Sequence, residues 1–174
     1  MEVDLRYPIG PFRRPPSLDA AARSDAIQAI ARTPGELRRA VTGLDDQQLD
    51  TPYRPGGWTV RQVAHHLPDS HLNAYVRFKL GLTEEIPTIK TYEEDRWARL
   101  ADSALPVEVS LQLLEALHRR WVVLLDSMQD AQWSREFVHP ESGQQRLDRL
   151  LALYAWHGAH HTAQVTKLRE RMGW

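Results

Sequence analysis

His157 and His161 stand four residues apart in a segment where Leu147, Leu150, Leu151, Tyr154, His157, His161, Val165, Leu168 and Met172 recur every three or four positions. That spacing traces the inward stripe of an amphipathic helix, and two of its places hold imidazoles where hydrophobes are expected. Side chains four apart stack on one helix face with Cβ atoms about 5–6 Å apart, so both rings can reach one metal ion. A lone inward histidine is more often a core residue with one satisfied hydrogen bond, and a pair alone is weak support for a metal. A second cluster, His65, His66 and His71, strengthens the case, because bundle sites are built from side chains on facing helices. Val63, Leu67, Ala74 and Phe78 mark the apolar face of that segment. Steps of about 100° per residue put His66 on its edge and His65 well round the helix. His66 is therefore the preferred third ligand, with His71 a geometric alternative. Asp69, Asn73 and Arg77 follow His66 on its own side and are candidates for substrate contact or for support of the ligands.

Three neutral imidazoles would leave an ion its full charge and an open coordination position, the pattern of catalytic rather than structural zinc. Such an ion lowers the pKa of bound water to about 7 and deprotonates a bound thiol. Hydrolysis and transfer onto an exogenous thiolate are the two chemistries that follow. The H-x-x-x-H spacing tests a zincin-like protease, which needs a glutamate directly after the first histidine; here that residue is Gly158. No carboxylate stands beside the His157–His161 pair, which favours thiol transfer, while Asp69 keeps a base-assisted hydrolysis open. His118, His139 and His160 read as solvated or structural, Trp121 and Trp156 as packing, and Trp58, beside Gly57, as a candidate for a pocket mouth.

The elements that must position these residues are helices. Residues 1–16 carry Pro8, Pro11, Pro15 and Pro16 and read as an extended arm that packs across the domain. A helical pattern begins near Ser17 or Asp19 and runs to Leu44, and Pro34 within it predicts a kink or a restart capped by Thr33. Leu49 to Trp58 is loop; Thr59 then caps a second helix reaching about Leu82, bent by Pro68. Glu84 to Tyr92 reads as a connection, Glu93 to Leu100 as a short helix, and Val107 to Met128 as the third long helix. Trp133 to Arg146 is irregular, with a small hairpin pairing Glu136–His139 with Gln144–Leu147, before the final helix from Leu147. Four long helices make an all-α four-helix bundle with kinked helices, expected as one domain over residues 1–174.

The 22 Lys and Arg residues nearly balance the 23 Asp and Glu, so no basic field argues for nucleic acid or an anionic membrane. With no cysteine there is neither a disulfide nor a protein thiol, and any thiol chemistry must come from a substrate. No stretch approaches the roughly 18 apolar residues of a membrane span, and the N-terminus lacks a signal-peptide run. A cytoplasmic protein acting on a small molecule is the expectation.

Three motifs, YPIG (Tyr7 to Gly10), LDTPYRPGGWTVRQVAHHLPDSHLNAYVRFKL (Leu49 to Leu80) and YAWHGAHH (Tyr154 to His161), with RMGW closing the chain, resemble the YfiT-like branch of the DinB superfamily. The resemblance runs essentially end to end. It implies a four-helix bundle, a homodimer, and one divalent metal on three histidines, whose motif positions fall on His66, His157 and His161. Zinc is the first choice, with nickel or another divalent ion as alternatives. Similar proteins are described as metal-dependent hydrolases, and other relatives as zinc-dependent S-transferases using bacillithiol, mycothiol or glutathione. The resemblance thus supports a bacillithiol-type S-transferase first, a hydrolase using zinc-bound water second, and a non-catalytic metal-stabilised dimer third. A cosubstrate carboxylate pairing with Arg77 fits the first. Two departures from the family pattern are Pro68, just after His66, and the non-imidazole residues Ala159 and Gln164.

Overall fold

The computed structural model describes residues 4–174. Asp19 caps the first helix, α1 (Ala20–Val41), its carboxylate accepting from the Ala22 amide. A one-turn helix, α2 (Asp46–Leu49), falls just before the expected loop and is closed by a capping box between Asp45 and Gln48. The same device starts α3 (Val60–Thr83), where Thr59 and Gln62 cap each other. A short α4 (Glu94–Trp97) and a 3-10 turn, Ala101–Ala104, lead to α5 (Val107–Asp126). A second 3-10 turn, Asp130–Ser134, precedes the hairpin of β1 (Glu136–His139) and β2 (Gly143–Arg146). The second strand lies one residue earlier than expected, because Gly143, at φ 72°, belongs to the paired register. The last helix is α6 (Leu147–Met172), ended by Gly173 in the left-handed conformation that glycine adopts at little cost.

Both helix-interior prolines are carried without a break. Thr33 does not cap a restarted helix: its hydroxyl donates to the Ala29 carbonyl one turn back, and α1 continues. Pro34 has no amide hydrogen, so the Ile30 carbonyl loses its helical donor. That orphaned oxygen is left free to accept from a side chain.

Helix α1 packs on α5 and α6, and α3 packs on the same two, so α1 and α3 face each other across one diagonal and α5 and α6 across the other. Pairs α1/α3 and α5/α6 are successive long helices, so the chain crosses the bundle twice rather than winding round it. The consequence for function is that α3 and α6, with 63 residues of chain between their facing ends, share a flank.

The apolar core falls into two clusters. One joins Ile30, Phe78, Trp121, Leu125, Phe137, Leu147 and Leu151; the other joins Leu37, Val41, Val60, Val63, Leu67, Leu114, Val165 and Leu168. Between them, at mid-height in all four helices, lie Thr33 and Pro34 of α1, His66, Ser70 and His71 of α3, His118 of α5, and His157 and His161 of α6. Gly158 belongs to this layer by necessity, since a Cβ there would stand 2.5 Å from the Thr33 hydroxyl oxygen. The N-terminal arm lies along α6, with the Gly10 carbonyl accepting from Trp156 and the Pro16 carbonyl from Arg149.

Candidate metal centre

The structure brings His66, His157 and His161 together: one ring nitrogen from each lies within 4.8 Å of the other two. His66 comes from α3 and the other two from successive turns of α6, which the shared flank of these helices holds face to face. The Nε2 atoms of His66 and His157 are 3.3 Å apart. Two nitrogens bound to one tetrahedral zinc at about 2.0–2.1 Å each stand roughly 3.3–3.4 Å from one another, so this spacing fits a shared ion.

The hydrogen bonds behind the rings decide which nitrogens carry lone pairs. The Ile30 carbonyl, freed by Pro34, is 2.7 Å from His118 Nδ1. A carbonyl can only accept, so His118 carries its hydrogen on Nδ1 and offers Nε2 as an acceptor. His71 Nδ1, 2.8 Å away, therefore donates to His118, and His71 Nε2 accepts from His157 Nδ1 at 3.2 Å. His157 is left with its lone pair on Nε2, the atom facing His66. On the next turn the Arg6 carbonyl orients the Gln164 amide by accepting from Nε2 at 3.2 Å. Gln164 Oε1 then accepts from His161 Nδ1 at 2.9 Å, which again leaves Nε2 free. Its second amide hydrogen goes to His160, 3.0 Å away.

Burial keeps all these rings neutral. It pushes His66 and His118 down to about 4. His71, His157 and His161 lie well below the ordinary histidine value, first through burial and then through neighbouring imidazoles. Neutral imidazole is the form that binds metal.

The three histidines open onto a chamber of about 310 Å³ whose walls include Trp58, Ser70, Arg77, Tyr92 and Tyr154. Trp58 packs against His66, with ring centroids 4.5 Å apart and planes tilted by 54°, and is held by donation to Asp95. Arg77, marked by its face, is on the wall; Asp69 and Asn73 are not. From His66, three residues along the helix lands about 60° away from the core stripe and four lands about 40° toward it, so Ser70 takes the place sought for Asp69. The Asp69 carboxyl is raised to about 6 by burial and then by the charge of Asp102, and Asn73 donates to the Asp69 carbonyl. His71 supports His157 rather than joining the three, and His65 bonds Ser110 and the Leu105 carbonyl. His118 is buried in the relay rather than solvated. Its spacing, four after Leu114 and three before Trp121, was the signal that placed it inward.

Comparison with known proteins agrees with this architecture. A solved structure of YfiT from Bacillus subtilis, described as "a probable metal-dependent hydrolase with an unusual four-helix bundle topology", superposes with a TM-score of 0.96. It is 48% identical, and the match covers 99% of each chain. TT2238, a four-helix bundle protein, matches with a TM-score of 0.54 at 21% identity over 87% of this chain and 99% of its own, a likeness of fold. Proteins of Bacillus mycoides strain KBAB4 and Bacillus cereus strain 03BB102, each named "putative metal-dependent hydrolase", are 56% and 55% identical over 98% of this chain and 99% of theirs. The profile of the DinB superfamily matches residues 29–165. With that profile spanning most of the chain, and relatives more than half identical over nearly all of it, the chain belongs to the DinB superfamily.

Proposed function

We propose that this chain is a metal-dependent enzyme in which His66, His157 and His161 hold one divalent ion and present a small nucleophile to an electrophilic substrate. Zinc is the ion of choice, with nickel or another divalent ion as alternatives. The nucleophile is first a low-molecular-weight thiol of the bacillithiol type, making the enzyme an S-transferase that works as a cytoplasmic homodimer. The observation that carries the reading is the set of three neutral imidazoles turned toward one point, two with tautomers set by backbone carbonyls, beside a chamber of about 310 Å³.

A divalent ion there would supply Lewis-acid activation, bringing bound water to a pKa of about 7 or deprotonating a bound thiol outright. The residues around it supply shape and hydrogen bonds. Ser70 and Tyr154 place hydroxyls 3.4 Å apart on one wall, and Tyr92 and Trp58 add aromatic rings to the lining. The wall carboxylates, Glu94 and Glu141, are both exposed, and Asp69 faces elsewhere. A site without a buried carboxylate base suits a thiol, which needs no base once bound. The hydrolase reading comes second, supported by the names of the relatives and by the two carboxylates at the rim. A purely structural ion, stabilising a dimer, would call for four protein ligands where three converge.

Metal content by mass spectrometry on untagged protein tests the site. One ion per chain in wild type and little in His157→Ala and His161→Ala supports it, whereas full loading of both variants overturns it. Metal-dependent loss of an alkylating electrophile that requires added thiol favours transfer; metal-dependent ester cleavage without thiol favours hydrolysis.

A further inference from the structure

Adjoining the chamber is a second concavity of about 130 Å³, and the two share Arg77, His139 and Leu153 as a common wall. Its other walls bring Arg14 from the N-terminal arm and Arg149 from α6, and neither an aspartate nor a glutamate lines it. Three arginines thus line a small space. None of the three forms an ion pair among the described residues. Arg149 is anchored by one edge, its Nε and one Nη donating to the Pro16 carbonyl at 3.0 and 2.8 Å. Arg77 is 8% exposed, its Nε has no hydrogen-bond partner, and its one contact is a 3.4 Å donation to the Lys90 carbonyl. A buried guanidinium without a counter-charge is unfavourable unless something else completes it. His139 adds a donor, since its Nδ1 accepts from the Glu141 and Ser142 amides and its hydrogen sits on Nε2.

We infer that this concavity is an anion subsite, in which Arg14, Arg77 and Arg149 receive a carboxylate or phosphoryl group of the ligand whose reactive end lies at the three histidines. The fork of a guanidinium matches either group bidentately. The wall shared with the chamber places the two ends of such a ligand in adjoining spaces, so the substrate or cosubstrate is a small anionic molecule. Its connection to the reactive end rests on the function proposed above; the binding of an anion does not.

Titration calorimetry of zinc-treated protein with succinate and with inorganic phosphate tests the inference and distinguishes a carboxylate from a phosphoryl group by which binds more tightly. Arg77→Gln and Arg149→Gln are each expected to weaken the better probe at least tenfold, while His157→Ala changes it less than twofold. Arg149 is partly exposed, so its variant stays informative if Arg77→Gln folds poorly. No binding of either probe, or equal binding by wild type and the folded arginine variants, overturns the subsite. Loss of binding in His157→Ala also overturns it, by putting the anion on the ion. Metal content measured on the same samples reports separately on the three-histidine site, so failure of either reading is recognised without the other.

Discussion

The two sides of the metal centre are built differently. On the inner side His157 is backed by His71, His118 and the Ile30 carbonyl, and His161 by Gln164 and the Arg6 carbonyl. Each line ends on an oxygen that can only accept, so both rings are held in one tautomer. On the outer side His66 has Trp58 tilted against its ring and the His157 contact at its Nε2. No carbonyl fixes the His66 tautomer: its hydrogen-bond contact among the described residues is His157, another imidazole. The inner pair is fixed by backbone carbonyls; the outer ring has no such anchor among the described residues. The price of that order is a polar layer through the middle of an otherwise apolar bundle.

Cutting the inner line should have the largest effect. His118→Phe leaves His71 without its acceptor and frees His157 to exchange tautomers, and the expected loss of zinc affinity is roughly 10–100-fold. Nitrogen NMR of the metal-free variant should then show His157 in mixed tautomers, where wild type shows hydrogen on Nδ1 alone. A single tautomer with unchanged affinity would make the relay simple packing. Next comes Gly158→Ala, which forces α1 and α6 apart at Thr33 and should cost about 1–3 kcal/mol in denaturant melts. Because α1 carries Ile30, zinc affinity should fall with it; a variant as stable as wild type would show that Thr33 simply rotates aside.

Acid should expose the same layer. His66 and His118 titrate near 4 when folded and near 6.5 when unfolded, so between those values the unfolded chain binds more protons. Stability of the metal-free protein is therefore fully present above about 6.5 and falls as pH drops toward 4, by up to about 1.4 kcal/mol per pH unit for each ring. His118→Phe should flatten that slope by about one proton; an unaltered slope would mean that His118 is not held neutral. The smallest effect belongs to the outer side. Trp58→Phe keeps an aromatic face on His66 and loses the Asp95 bond, and its zinc affinity should stay within about threefold of wild type, below the usual range for lost support of a ligand. A loss as large as that of His118→Phe would erase the distinction between the two sides.

Periodicity alone carried much of this. The spacing of His157 and His161 on an apolar stripe, and His66 at the edge of another, singled out His157 and His161 and preferred His66 over His71, because helix faces are local and a 3.6-residue repeat reports them directly; the family resemblance fell on the same three, and these are the rings that converge. The four long helices and the start of α3 were legible for the same reason. The proline at position 34 was visible but its meaning was not, since a missing amide hydrogen predicts a defect and cannot say what will occupy the orphaned carbonyl. His118 answers from another helix, 88 residues away from Ile30. Asp69 and Asn73 shared a nominal side with His66, yet the chamber opens toward the core stripe and admits Ser70 and Arg77 instead. Arg14, Arg77 and Arg149 meet only because the arm lies along α6 and α3 flanks it. Which faces turn inward is written in the local order of residues; which inward groups touch depends on how the chain crosses the bundle, and only tertiary packing decides that.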